Sequence, residues 1–178
     1  GYVAGEWAVG GLIGGNLAGI VDRSYSTADV IGEDYVGGLA GDNQGTVSNS
    51  YSGGSVTGEW YVGGLVGDND YSGIVGKSYA SGSVVGDSFV GGLVGSNWGS
   101  VDNSFWDIET SGVDESDGGV GKTTAAMRDI ATFTDTTTEG LENPWDVTAV
   151  ASGETNDSFT WNIVIGQTHP FLSWQPAS

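Results

Sequence analysis

Eight residues, Val62-Gly63-Gly64-Leu65-Val66-Gly67-Asp68-Asn69, constrain this chain more than anything else in it, because they return. Variants stand at residues 9–16, 36–43 and 90–97. The closing asparagines, Asn16, Asn43, Asn69 and Asn97, lie 27, 26 and 28 residues apart. Two other motifs keep the same step. One is Ser24-Tyr25, Ser50-Tyr51, Ser78-Tyr79 and Ser104-Phe105; the other is Val30-Ile31-Gly32, Val56-Thr57-Gly58 and Val84-Val85-Gly86. A fixed period of this length belongs to stacked architectures, where one repeat buries its apolar face only against its neighbours.

Each repeat carries three short runs rich in valine and tyrosine, bounded by Gly, Asn, Asp or Ser; in the third copy they are residues 61–66, 74–79 and 83–85. Nothing between them has helical periodicity. The expected fold is therefore all-β: a three-sided parallel β-solenoid (β-helix) of about four Gly-rich repeats over residues 1–105, of either hand, with coils about 4.8 Å apart. Stacking sets equivalent residues above one another. Asn16, Asn43, Asn69 and Asn97 are predicted to form a ladder of side-chain amides at a corner. Gly14, Gly41, Gly67 and Gly95 are expected to supply that corner's left-handed backbone. Val62 and Leu65 both read as core, which requires a bulge or bend at Gly63-Gly64. Arg23, Asn49, Lys77 and Asn103 share a water-facing position, and the serines after them face inward. Alternation then turns Tyr25, Tyr51, Tyr79 and Phe105 outward as an aromatic row, a candidate surface for a ligand or partner.

Residues 106–178 break the period and are expected to cap the solenoid, whose last coil otherwise leaves an unpaired apolar edge. Residues 109–121 read as an acidic, Gly-rich loop. Thr123 or Thr124 reads as the N-cap of one short helix with Met127, Ile130 and Ala131 on one face. Residues 145–150 and 159–165 read as strands.

The 23 acidic and 4 basic residues give a formal net charge of −19, which argues against nucleic acid and anionic membranes as partners. Such a charge suits either cation binding or solubility in a salt-rich medium, and a halophilic source is expected. No apolar run approaches the roughly 20 residues of a membrane span. Absence of cysteine excludes a disulfide-stapled fold. Gly1 falls partway through a repeat, so the chain reads as a piece of a longer, processed precursor. Asp42, Asp68 and Asp70, in the repeat turns, are candidate calcium ligands, although no established calcium-loop spacing is present. Residues 116–123 resemble a phosphate-binding loop but carry Ser116 where its first glycine belongs, and no buried strand precedes them. His169 is the only histidine and cannot build a zinc cluster; a hydrogen-bonding role in the cap fits it better. No other cofactor and no catalytic constellation is apparent.

The repeats resemble the GLUG motif, named for its Gly-Leu-any-Gly core, here residues 11–14, 38–41, 64–67 and 92–95. The motif's usual continuation is seen in Lys77-Ser78-Tyr79-Ala80-Ser81-Gly82-Ser83-Val84-Val85-Gly86, although Arg23 and Lys77 stand where asparagine is usual. The resemblance implies large secreted or surface-anchored, adhesin-like proteins and supplies no active site. The expected role is a structural or adhesive module at the cell surface, with other surface proteins, glycans or copies of itself as partners. A filament subunit joined through open solenoid ends, or a carbohydrate-binding module using the aromatic row, are the alternatives.

Overall fold

Apolar runs this short, each closed by a turn-former, cannot make long strands, and the chain makes short ones. The third coil shows the plan: Val56–Thr57, Trp60–Gly63, Val66–Asn69, Ile74–Gly76 and Tyr79–Ala80. Every one of these strands pairs in parallel with the same positions of the coils on either side, for example Val56 with Val30 and Val84. The computed structural model describes residues 1–176, and its repeats form a parallel β-solenoid of about four turns.

Five parallel sheets run along the solenoid, not the three expected from the sequence. Two expected runs each break in the middle. The run over residues 61–66 breaks at Gly64-Leu65, and that over residues 74–79 breaks at Lys77-Ser78. Lys77 explains the second break: its φ is 48°, a left-handed conformation that ends a strand, and Arg23, Asn49 and Asn103 repeat it at 47°, 46° and 50°.

The bend at Gly64-Leu65 lets Val62 and Leu65 both bury, and it also splits the interior into two cores. One core is a column of valines, with Val30, Val56 and Val84 against Val9, Val36 and Val62. The other holds Leu39, Leu65 and Leu93 with Val47, Val66, Val75 and Val94. Between them the strand over Trp60–Gly63 and the strand over Val66–Asn69 press backbone to backbone. A Cβ on Gly67 would lie 2.6 Å from the Tyr35 carbonyl carbon and 2.6 Å from the Val36 nitrogen. Gly41 and Gly95 are as closely confined by backbone atoms, and at Gly14 a Cβ would lie 2.6 Å from the Ala8 carbonyl oxygen. None of the four has a positive φ, which corrects the expected left-handed corner: they are glycine because two sheets touch there.

The C-terminal region divides the capping task in two. Residues 113–122 form an incomplete fifth coil. Val113 packs on the valine core, the Glu115 carbonyl accepts from Gly92 N–H, and Ser116 Oγ accepts from Leu93 and Val94 N–H. Val120–Lys122 then pairs with Phe105–Asp107. The stretch that resembled a phosphate loop is thus the lid of the second core. The chain afterwards turns back along the flank of the solenoid, burying Met127, Phe133, Leu141, Trp145, Trp161, Ile163 and Leu172. It contains short helices at Ile108–Ser111, Thr124–Met127 and Ala131–Thr134, where one was expected. Thr123 N-caps the second, accepting from Ala126 N–H, and Ile130-Ala131 lie beyond its end. The expected strands shorten to Val147–Ala149 and Trp161–Ile163, joined by Phe171–Leu172 in a small mixed sheet.

Candidate functional site

In-register stacking turns single residue types into columns, and four of them bear on function. The first is the aromatic row expected at the surface. Tyr25, Tyr51 and Tyr79 stack with centroids 5.2 and 4.9 Å apart, and Phe105 pairs in register above Tyr79. The row points out of the coil but is not open to a ligand, which corrects the sequence reading. Tyr79 is 2% exposed and Phe105 fully buried, under Trp145, Trp161 and Phe133. Tyr79 Oη donates to the Pro170 carbonyl at 2.6 Å, and Gln175 Nε2 donates to Tyr51 Oη at 2.8 Å. Burial pushes the Tyr79 hydroxyl well above the ordinary tyrosine range. The flank packs across this row, and nothing in the sequence period signals it.

A second aromatic column, one that sequence reasoning missed, is open. Tyr35 and Tyr61 stack at 4.9 Å, Tyr61 and Phe89 at 4.7 Å, and Trp7 meets Tyr35 edge-on at 5.2 Å. Trp7 is 65% and Phe89 56% exposed, and Trp60 tilts against Phe89 from the neighbouring position. The backbone here is unusual: Ala8, Tyr35, Tyr61 and Phe89 have φ between 51° and 54°. Bulky side chains rarely adopt this conformation, and four successive coils hold it. The strand pairs as residues 60, 62 and 63 with 88, 90 and 91, skipping the left-handed residue. A signal was available, because each of these residues immediately precedes the first valine of the repeated octet. Trp98, in a later turn, is exposed and tilts against Tyr71 at 5.4 Å.

The asparagines form the third column. Asn16 Nδ2 donates to Asn43 Oδ1, Asn43 to Asn69, and Asn69 to Asn97, each at 2.8 Å. The same amides also donate to the carbonyls of Gly19, Gly45 and Gly73, so the ladder fastens the corner as well as the coils.

The fourth column is Gly15, Asp42, Asp68 and Ser96. Asp42 is buried and Asp68 half-buried; burial pushes both carboxyls above the ordinary range, opposed by hydrogen bonds from Gln44 and Ser96 respectively. Asp70 sits in the turn that follows, its Oδ1 accepting from Tyr71 N–H. Among the described residues no three His, Cys, Asp or Glu side chains converge as a metal-holding group, so Asp70 does not join the other two as a third ligand.

His169 meets a buried carboxylate. Its Nε2 lies 2.9 Å from Asp107 Oδ2, and its ring stacks on Tyr79. Asp107 also caps the helix over Ile108–Ser111 and accepts from Thr124 Oγ1. Its partners lie in the flank, in the last coil and, through Tyr79, in the third coil, so the pair clamps the flank to the solenoid.

These columns and the coil that generates them fix the likeness. Residues 5–31 match the GLUG motif. That span is one coil, from the corner at Gly5 to the strand Asp29–Ile31, and the later coils repeat its GLUG core in register. No curated protein and no solved structure matches the chain. Among the described residues no helix is long and apolar enough to cross a membrane.

Proposed function

We propose that this solenoid is a structural and adhesive module of an extracellular cell-surface protein, and that it makes contact through the open aromatic column. The observation that carries this reading is the contrast in cover. One aromatic column is sealed by the flank, whereas Trp7, Trp60 and Phe89 stand exposed along one side of the rod. Exposed aromatic surface in series marks a contact site more often than chance exposure does. Backbone strain held at Tyr35, Tyr61 and Phe89 supports the same reading, since such strain persists where a side chain must be aimed. The acidic surface suits a salt-rich exterior. Displayed on a non-adhesive cell, the module should retain cells on immobilised glycans or surface-protein extracts. Trp7→Ala with Trp60→Ala should abolish retention while the chain still melts cooperatively, at a cost of no more than about 2 kcal/mol for the two exposed ring contacts. Equal retention by the double variant would reject the aromatic column as the contact surface.

A further inference from the structure

Asp42 and Asp68 are placed where carboxylates are costly. They pair in register on adjacent coils, so two like charges stand one rung apart, about 4.8 Å. Like charges directly opposite each other on a sheet are destabilising. The same column tolerates Gly15 and Ser96 on its other rungs, so the position does not itself demand an acid. Asp42 is only 9% exposed; its Oδ2 accepts from Gln44 Nε2 at 3.1 Å, while its Oδ1 is buried with no partner. A buried carboxylate oxygen with nothing to accept from is expensive.

Among the described residues no positive charge reaches this pair. The groups whose fields reach it, Asp70 and Asp117, are acidic. Arg23 pairs with Asp22, Lys77 Nζ donates to the Pro144 carbonyl, Lys122 Nζ donates to the Glu139 carbonyl, and His169 is held by Asp107. Arg128 lies in the flank, its carbonyl accepting from Gly166 N–H. On the strands packed against the pair stand Asp34, Tyr35 and Tyr61, none of them cationic.

We propose that Asp42 and Asp68 bind a hard divalent cation, of which calcium is the type, as a bridge between two coils. The rung spacing suits it: oxygen ligands sit about 2.3–2.6 Å from calcium, so one ion midway between rungs reaches a carboxylate on each. The bridge satisfies Asp42 Oδ1, neutralises the stacked charges, and ties the second coil to the third. Two carboxylates leave most of the coordination sphere to water and backbone carbonyls, which makes the site weak and suited to an exterior rich in divalent ions.

Terbium(III) tests this directly, because it replaces calcium and Tyr35, whose hydroxyl feels both Asp68 and Asp42, stands near enough to sensitise its emission. The full chain titrated with terbium and excited in the tyrosine band should give saturable emission that calcium displaces. Asp42→Asn and Asp68→Asn should each weaken binding on the order of tenfold by removing a charged ligand. Asp87→Asn, at a surface turn, should leave it unchanged. Calcium should raise the melting temperature of the parent and of Asp87→Asn only. Emission that survives both Asp42→Asn and Asp68→Asn, or a parent whose melting calcium does not move, would overturn the proposal. Asp68→Asn, at the more exposed rung, keeps the test intact if Asp42→Asn does not fold.

Discussion

The two aromatic columns are built alike and end differently. Tyr25, Tyr51 and Tyr79 stack at 5.2 and 4.9 Å; Tyr35, Tyr61 and Phe89 stack at 4.9 and 4.7 Å. Both follow from in-register repeats, which put one ring above the next whether or not anything else touches it. What separates them is sequence outside the period. The flank supplies Trp145, Trp161, Phe133 and Pro170 to the first column, and among the described residues none of its aromatic rings meets the second. A repeat therefore makes ladders, and the non-repeating segment decides which ladder becomes core and which stays surface.

The largest effect should come from the glycine seam that lies behind the open column, between its strands and the next sheet. Gly67→Ala sets a Cβ 2.6 Å from the Tyr35–Val36 backbone, which cannot yield as a side-chain tip would. A loss of at least about 4 kcal/mol is expected in denaturant melts, because overpacking against backbone has no cheap relief. Next in size is the direct test of the contrast. Tyr79→Ala opens a cavity under the flank and should cost about 3–5 kcal/mol. Tyr61→Ala loses only ring stacking and should cost about 1–2 kcal/mol. Equal losses in a urea titration would erase the distinction between the columns.

The clamp on the flank gives a pH test. Burial pushes the Asp107 carboxyl upward, but hydrogen bonds from His169, Thr124 and Thr110 N–H outweigh it and hold the group below the ordinary range. A depressed acid contributes stability above its unfolded value of about 3.9 and loses it as pH falls through the folded value. The flank should therefore loosen from the Tyr79 column below about pH 4. Asp107→Asn should cost about 2 kcal/mol at neutral pH, the worth of a charge-assisted hydrogen bond, and flatten that acid limb. Tryptophan fluorescence of Trp145 and Trp161 reports both.

The smallest effect is the most particular. Tyr61 holds φ at 54°, a conformation that alanine resists as tyrosine does and glycine accepts freely. Tyr61→Gly should therefore be less destabilising than Tyr61→Ala by about 1 kcal/mol, the reverse of the usual order in a strand. Alanine proving the milder change in a thermal melt would show that the left-handed backbone is not under strain.

The period made most of the solenoid legible. Asn16, Asn43, Asn69 and Asn97 could be placed at one corner because an amide can both donate and accept along a stack. The glycines could not be read as well, since glycine serves a left-handed turn and a tight contact equally, and only the fold shows that Gly67 meets Tyr35 and Val36. Left-handed residues were half visible: asparagine at 49 and 103 suits that conformation, whereas Tyr35 and Tyr61 hide it behind a good strand former. Division into five strands instead of three comes from two breaks: one at the left-handed position of Lys77, and one at Gly64-Leu65, where no positive φ marks the bend. The flank was least legible. Its contact with Tyr79 joins residues about ninety positions apart, with no repeat to carry the inference.

Hydroxyl-radical footprinting read by mass spectrometry tests the contrast most directly, because both columns are labelled in one molecule under one set of conditions. Trp7, Trp60, Tyr61 and Phe89 should oxidise readily, while Tyr79, Phe105, Trp145 and Trp161 should be protected until the chain unfolds. Comparable oxidation of the two sets in the native protein would mean that the flank does not cover the first column, and the division into sealed core and open contact surface would fail.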